Sequence, residues 1–186
     1  PYILFRDTAG RAVNAIDANK GLLFYPQVRP LDLVLARIVL EVATSFTIFV
    51  LIMGTYAWWS GGIRINSLLD CMLGLLLASG LGAGLGLTLC ALTTFSRTVE
   101  RLQGPLLRPL FWLSGVFYPS RQVPEPLRNI LSYNPVLHVV ELTRSGIIFG
   151  YPTDNHDAMY VTWWVMALLF IGLTVERMAR RRLELT

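Results

Sequence analysis

Long apolar runs separated by short polar segments organise this chain. Residues 42–63 and 71–96 contain no Asp, Glu, Lys or Arg, and a third apolar run begins near residue 158. A helix needs about 20 apolar residues to cross the hydrocarbon core of a bilayer. We therefore predict membrane-spanning helices over residues 33–59, 68–92 and 158–175, which together indicate an all-α fold, a polytopic transmembrane helical bundle.

A further apolar run lies between Arg108 and Arg121 and is too short to cross a bilayer. Its twelve uncharged residues would extend about 18 Å as a helix, whereas the hydrocarbon core is about 30 Å thick. We predict a half-length span over residues 102–118, followed by a re-entrant region over residues 119–151.

This region contains an amphipathic stretch, residues 127–149, in which Arg128, Glu141 and Arg144 lie among apolar residues. Charges and irregular backbone persist at membrane depth only inside protein or beside water. The pattern therefore favours the lining of a gated permeation path.

The composition agrees with a membrane protein. Of the 186 residues, 54% are hydrophobic and 15% are charged, which is more apolar than an ordinary soluble domain. The basic residues are spread between the apolar runs, and no clustered basic face with interleaved aromatics indicates nucleic acid. The sequence starts at Pro1, without an initiator Met or a visible signal peptide, and we expect it to be a piece of a longer chain that has lost its N-terminal spans.

Residues 1–32 are mixed in polarity, and we interpret them as a cytoplasmic loop. A helix over residues 9–23 would place Ala12, Ile16 and Leu23 near one face. This spacing is compatible with a short surface helix within the loop, but periodicity alone favours an ordinary cytoplasmic loop.

The two ends of the first span carry different signals. Arg37 and Glu41 lie four residues apart near its start, which predicts an ion pair at the headgroup level. Alternatively, they bind a charged headgroup or brace the preceding loop against the membrane domain. Tyr56, Trp58 and Trp59 near its end indicate an interfacial aromatic belt, with a stacking platform for sugar rings as the alternative.

The second span contains a stripe of small residues. Four of them recur every four residues: Gly74, Ala78, Gly82 and Gly86. Small residues at this spacing let another helix approach closely in lipid, where packing drives association. The same glycines do not form a nucleotide-binding P-loop, because no Lys-Ser/Thr follows them and no predicted strand precedes them.

The distribution of Lys and Arg predicts the orientation of the spans. Most basic residues fall on one side, namely Arg6, Arg11, Lys20, Arg29, Arg37, Arg97, Arg101, Arg108, Arg177, Arg180, Arg181 and Arg182. The other side has Arg64, Arg121, Arg128 and Arg144. By the positive-inside rule the larger set is cytoplasmic, which puts the C-terminus inside the cell and the mouth of the re-entrant region outside.

No constellation of residues indicates an enzyme or a metal site. His138 and His156 lack metal-ligand spacing, and Cys71 and Cys90 lie roughly 28 Å apart on one predicted helix, so we interpret them as unpaired core cysteines. His138, Glu141 and Arg144 share one helical face. They are either a polar seam facing a water-filled path or a self-satisfied, salt-bridged face.

Two stretches carry a resemblance to a known family. The strings NKGLLFYPQVRPLDLVLARIVLE (19–41) and SYNPVLHVVELTRSGIIFGY (132–151) resemble the inner-membrane permeases of capsular polysaccharide export ABC transporters, within the ABC-2 permease superfamily. The shared order of spans extends the resemblance over essentially the whole chain.

The resemblance implies a six-span permease that works as a dimer, each copy docked on a cytoplasmic ATPase subunit. ATP and Mg²⁺ would be bound by that partner, and no cofactor by this chain. Residues 10–23 would hold the coupling helix that contacts the ATPase. The residues implied in coupling are Arg11, Asn14, Asp17, Asn19 and Lys20.

The resemblance also implies that the region after Tyr118 is the gate at the outer side. The implied gate or pathway residues are Tyr118, Pro119, Asn134, Pro135, His138, Glu141 and Arg144. The cargo would be a lipid-linked capsular or similar polysaccharide crossing a bacterial inner membrane, with periplasmic and outer-membrane export proteins as further partners.

Three alternatives remain open from the sequence. An ABC-2 permease for another cargo, such as O-antigen, teichoic acid or a drug, would share these features. A membrane-embedded transferase would require an acid/base pair near a span end, which the sequence does not supply. A secondary transporter would require buried charges in mid-span and an internal repeat, which the two long spans lack.

Overall fold

The computed structural model describes residues 1–25, 27–62, 65–96, 98–151 and 156–184, and the side chains of residues 180–184 lie outside the description. Arg64 and Arg97, which contribute to the predicted orientation, are outside the described residues. The described residues contain α-helices and no strand, so the all-α prediction is confirmed. The α-helices are α1 (Tyr2–Val13), α2 (Ala15–Ala18), α3 (Pro30–Ser60), α4 (Leu68–Thr93), α5 (Thr98–Leu113), α6 (Glu125–Leu131), α7 (Pro135–Ile147) and α8 (Ala158–Glu184). Short 3-10 helices occupy Lys20–Phe24 and Ser120–Gln122.

Three helices are long and apolar enough to cross a membrane: α3, α4 and the Ala158–Ala179 part of α8. They coincide with the three long predicted spans. The last span was predicted over residues 158–175, and helix α8 continues beyond it to Glu184. The residues after Val175 include no Gly or Pro, and their Arg, Leu and Glu are good helix formers.

The predicted half-length span, 102–118, is wrong in its bounds. Helix α5 begins at Thr98 and ends at Leu113 although Pro105 and Pro109 lie inside it. The chain then turns at Gly115, whose φ of +64° favours glycine. Residues after this turn therefore extend away from the helix instead of continuing it.

The interpretation of the N-terminal residues as a surface helix over 9–23 is wrong. Helix α1 ends at Val13, and its Ala9 and Ala12 are fully buried. Small apolar residues on one face of α1 let it pack closely against α4. That burial outweighs the polarity of the charged residues on the other face, which made the segment look like a loop.

Helix α4 lies at the centre of the fold, with α1, α7 and α8 packed around it. Its glycines lie where these helices cross it. A methyl group added at Gly82 would come within 2.6 Å of the Phe5 carbonyl oxygen on α1, and one at Gly86 within 2.6 Å of the Ala12 side chain. A methyl group at Gly74 would overlap the hydroxyl of Thr143 on α7. Ala78, in the same stripe, is fully buried.

A second set of glycines on α4 faces α8. A methyl group at Gly84 would come within 2.7 Å of Leu168 Cβ, and one at Gly80 within 2.9 Å of Val165. Thr88 Oγ1 donates hydrogen bonds to the carbonyl oxygens of Gly84, at 2.8 Å, and Leu168, at 3.3 Å. Helix α4 therefore admits close neighbours on more than one side.

This packing predicts that single methyl groups on α4 are costly. Gly82→Ala should lower the free energy of unfolding by about 1–3 kcal/mol, because the new methyl group would push α1 away. The measurement is thermal unfolding of the purified protein in lipid nanodiscs. Gly54→Ala is the matched control, since nothing lies within 4 Å of a methyl group there. Equal melting temperatures for the two variants would contradict the close contact.

Candidate functional site

Helix α7 bonds to several other chain segments at one end of the bundle. The amphipathic stretch 127–149 divides into α6 and α7, because Asn134 caps α7 through its side chain, which accepts from the Val136 amide, and Pro135 occupies the first turn. Almost every residue of α7 is buried. Its charged residues, Glu141 and Arg144, therefore lie in the protein interior and need partners there.

Arg144 binds the backbone that follows α5. Its guanidinium donates to the carbonyl oxygens of Gly115 at 2.8 Å, Val116 at 3.1 Å and Tyr118 at 3.4 Å. The end of a helix and the turn after it leave carbonyl groups without helical partners. A guanidinium with five donors can satisfy several of them at once, and Arg144 does so here.

Glu141 balances this charge and adds two further contacts. Its Oε1 is 3.1 Å from Arg144 Nη1 and accepts from the Ser120 amide at 2.9 Å. Its Oε2 accepts from the Tyr151 hydroxyl at 2.6 Å. We call Ser120, Glu141, Arg144 and Tyr151 the carbonyl clamp. Burial, together with the hydrogen bond to Glu141, raises the pKa of the Tyr151 phenol, so this hydroxyl keeps its proton and donates.

The other predicted gate residues contact the same turn. Asn134 Nδ2 donates to the Leu113 carbonyl oxygen at 3.2 Å and lies 3.3 Å from Ser114 Oγ. Tyr118 donates from its hydroxyl to the Trp112 carbonyl oxygen at 2.8 Å. Pro119 precedes the 3-10 helix and accepts from the Gln122 amide through its carbonyl oxygen. Asn134 at the start of α7 and Arg144 near its end thus both bond to the chain where α5 ends.

His138 joins the turn between α6 and α7 to the start of α8. Its Nε2 is 2.8 Å from the Ser132 carbonyl oxygen, and its Nδ1 accepts from the Asp157 amide at 3.1 Å. Ser120, Arg128, Asn129 and His156 join these residues around a cavity of about 260 Å³.

These contacts bear on the two interpretations of the shared face of His138, Glu141 and Arg144. The three side chains bond to each other, to carbonyl oxygens or to amides, which is the pattern of a self-satisfied polar face. Within the described residues, each of them has protein partners. The geometry favours a role in holding the segments together, and contact with a cargo stays a prediction.

The predicted ion pair between Arg37 and Glu41, both on α3, is wrong. Glu41 Oε2 lies 3.1 Å from Arg11 Nη1, and the Glu41 carboxylate is almost completely buried. Helix α1 packs on α3 at this point and brings its Arg11 to the carboxylate. Glu41 therefore braces the N-terminal segment against the first span, which was the alternative interpretation.

The other residues implied in coupling follow α1 in a short, bent segment. Asn14 and Asn19 donate to carbonyl oxygens four residues earlier, Gly10 and Ala15. Both Asn residues lie where a helix ends, which explains the bends. Asp17 and Lys20 form an exposed ion pair.

Beneath this segment lies a groove of about 430 Å³, bounded also by the ends of α3, α4 and α8 and the start of α5. Its lining is mainly apolar and includes Ile16, Leu31 and Leu87, with Asp17 and Glu100 among its charged residues. Among the described residues, no group of His, Cys, Asp and Glu side chains could hold a metal ion. Cys71 and Cys90 are buried and unpaired, as expected.

Several residues of the site had no signal in the sequence. Tyr151 lies beyond the end of α7, and Ser120 bonds through its backbone, so helical periodicity identifies neither. Asn66 donates from its side chain to the Ser145 carbonyl oxygen at 3.0 Å, and the Ser67 amide donates to that of Gly146. These bonds tie the start of α4 to the end of α7 and depend on tertiary packing alone.

Comparison with known proteins gives consistent matches. The family model described as ABC-2 type transporter matches residues 20–148. The chain is 31% identical to the polysialic acid transport protein KpsM of Escherichia coli over 95% of this chain and 69% of that protein. It is 28% identical to the capsule polysaccharide export inner-membrane protein CtrC of Neisseria meningitidis, over 93% of this chain and 65% of that protein. It is 26% identical to BexB of Haemophilus influenzae, which carries the same description, over 98% of this chain and 69% of that protein.

The carbonyl clamp predicts a large effect of removing one of its charges. Arg144→Gln should destabilise the full-length protein by about 3–5 kcal/mol, since it leaves Glu141 buried without its cation. Thermal unfolding in nanodiscs measures the loss. Arg128→Gln, which removes the cation of an ion pair with the exposed Glu125, is the control and should cost about 0–1 kcal/mol. Similar losses in both variants would exclude a special role for the clamp.

The Arg11–Glu41 pair predicts that replacing Arg11 and replacing Arg37 have different effects on stability. Arg11→Met should lower the melting temperature because it strands the buried charge of Glu41, whereas Arg37→Met should change it little. The double variant Arg11→Met/Glu41→Leu should recover part of the loss, as no unpaired charge remains. A larger loss from Arg37→Met than from Arg11→Met would reinstate the pair predicted from the sequence.

Proposed function

The chain belongs to the ABC-2 type transporter family, and we propose that it is the membrane-spanning permease subunit of an ATP-driven exporter of capsular or similar lipid-linked polysaccharide. The observation that carries this proposal is the similarity to the polysialic acid transport protein over 95% of the chain. Relatives from two further genera are described as capsule polysaccharide export inner-membrane proteins. The three apolar helices suit a bacterial inner-membrane protein.

The family is one of ABC transporters, which pairs this chain with an ATPase. It follows that the chain is a transport subunit and that ATP and Mg²⁺ bind to the ATPase partner, with no cofactor in this chain. The permease acts as a homodimer, with its C-terminus in the cytoplasm. The positive-inside distribution supports this orientation. Periplasmic and outer-membrane export proteins receive the polysaccharide beyond the membrane.

The bent segment after α1 is the ATPase contact in this proposal. Asp17 and Lys20 are exposed there, and the segment is connected directly to α1 and followed by α3. A displacement of the segment would therefore be passed to the helices on either side of it in the chain. The carbonyl clamp and the turn after α5 form the outer gate, whose position relative to α4 is fixed by α7.

The test is deletion of the gene in the source bacterium. Loss of surface capsule with accumulation of the same polysaccharide inside the cell supports capsule export, and restoration by the full-length gene is the control. If capsule persists and O-antigen or teichoic acid is retained inside instead, the permease carries that other cargo. Unchanged surface glycans and altered drug sensitivity would indicate a drug exporter.

Charge reversal in the coupling segment predicts a loss of export without a loss of protein. Asp17→Lys or Lys20→Asp in the full-length permease should leave insertion unchanged, because both side chains are exposed. Either change should reduce export several-fold by altering the surface offered to the ATPase. The measurements are surface polysaccharide and co-purification of the ATPase. The paired reversal Asp17→Lys/Lys20→Asp separates the internal ion pair from the partner contact, since it restores only the former. Normal export in both single variants would remove this segment from the coupling role.

A further inference from the structure

The two ring nitrogens of His138 have partners of opposite kind. Nε2 lies 2.8 Å from the carbonyl oxygen of Ser132, which can only accept, and Nδ1 lies 3.1 Å from the amide nitrogen of Asp157, which can only donate. Both bonds form only when Nε2 carries the hydrogen and Nδ1 carries a lone pair. The surroundings therefore select one tautomer of the neutral imidazole.

Tyr160 completes this connection. Its ring stands edge-on to the His138 ring at 5.3 Å, and its hydroxyl donates to the Tyr133 carbonyl oxygen at 2.8 Å. Its amide donates to Asp157 Oδ1 at 3.0 Å. We call Ser132, His138, Asp157 and Tyr160 the histidine clasp. It joins the turn between α6 and α7 to the first turn of α8.

Protonation of His138 is incompatible with this arrangement. The imidazolium carries a hydrogen on each nitrogen, so Nδ1–H would point at the Asp157 N–H. Two donors then face each other, and the bond between α7 and the start of α8 is lost. The Ser132 bond survives, since Nε2 donates in both forms.

Several charged groups lie around His138. From α6, Arg128 lines the adjoining cavity, but Glu125 lies 3.1 Å from its guanidinium and offsets its charge. From the connection before α8, His156 and Asp157 line the same cavity. On α7 itself, Glu141 is engaged by Arg144 and Tyr151.

We propose that the histidine clasp is a pH-sensitive latch, closed when His138 is neutral and open when it is protonated. The clasp is complete while Nδ1 carries a lone pair, and acid weakens it because protonation removes the acceptor of the Asp157 amide. The latch is a property of the fold; its consequence for export, a loosening of α8 from α7 at the outer gate in acid, rests on the proposed function.

The test is hydrogen–deuterium exchange of the full-length permease in nanodiscs at pH 7.5 and pH 5.0, corrected for the intrinsic exchange rate. The Asp157 amide should exchange several-fold faster at the lower pH, because protonation of Nδ1 removes the acceptor of its hydrogen bond. Amides in the middle of α4 should not change and report that the fold is intact. An unchanged corrected rate at Asp157 would overturn the latch.

Two variants assign the effect to the right histidine. His138→Gln has no titrating ring, so its exchange at Asp157 should be equal at the two pH values. His156→Gln removes the other histidine of the cavity and should keep the pH dependence of the wild type. Retained pH dependence in the first variant, or its loss in the second, would overturn the assignment to His138. If the first variant fails to fold, the wild-type comparison still decides whether the latch exists. Capsule export at the two external pH values tests the consequence separately, and its failure would leave the latch itself in place.

Discussion

The fold depends on the small residues of α4, which let three helices approach its backbone. In a bilayer, apolar side chains gain little from leaving lipid, and close packing takes the place of water exclusion. Gly82 and Gly86 receive α1, Gly74 receives α7, and Gly80 and Gly84 receive α8. Larger side chains at these positions would push the helices apart. Helix α4 is therefore the central helix against which the others pack.

The carbonyl clamp supplies hydrogen-bond partners for backbone groups that follow the short helix α5. Helix α5 ends after 16 residues, so the carbonyl groups at and beyond its end have no helical partners. Helix α7, held on α4 at Gly74 and Gly146, places Arg144 beside those carbonyl groups. A buried ion pair alone is weak evidence for stability. Here the arginine satisfies backbone groups that would otherwise lack partners, and Glu141 balances its charge.

The sequence predicted what depends on local pattern and missed what depends on contact. Apolar length located α3, α4 and most of α8, and a four-residue spacing identified the glycines that receive α1 and α7. Periodicity also put His138, Glu141 and Arg144 on one face, but it could not show that their partners are backbone groups of another segment. The pairing of Glu41 with Arg11 instead of Arg37 failed for the same reason, since a rule for neighbours on one helix takes no account of a second helix. Helix α1 was missed because Arg6, Asp7 and Arg11 interrupt its apolar positions and gave the segment the polarity of a loop.

The two candidate sites are linked through α4, although they lie at opposite ends of the bundle. The bent segment after α1 adjoins a helix that packs on Gly82 and Gly86 and that Arg11 ties to Glu41 of α3. The turn after α5 is held by α7, which packs on the other half of α4 and is tied to its first residues by the bond between Ser67 and Gly146. A displacement of the bent segment therefore has two routes: it moves α4 and carries the carbonyl clamp with it, or it slides α1 along the glycines. Methyl groups added to the small-residue stripe of α4 would obstruct the sliding of α1 but leave α4 itself intact. The stripe therefore decides whether α1 and α4 move together as a rigid unit or slide past each other.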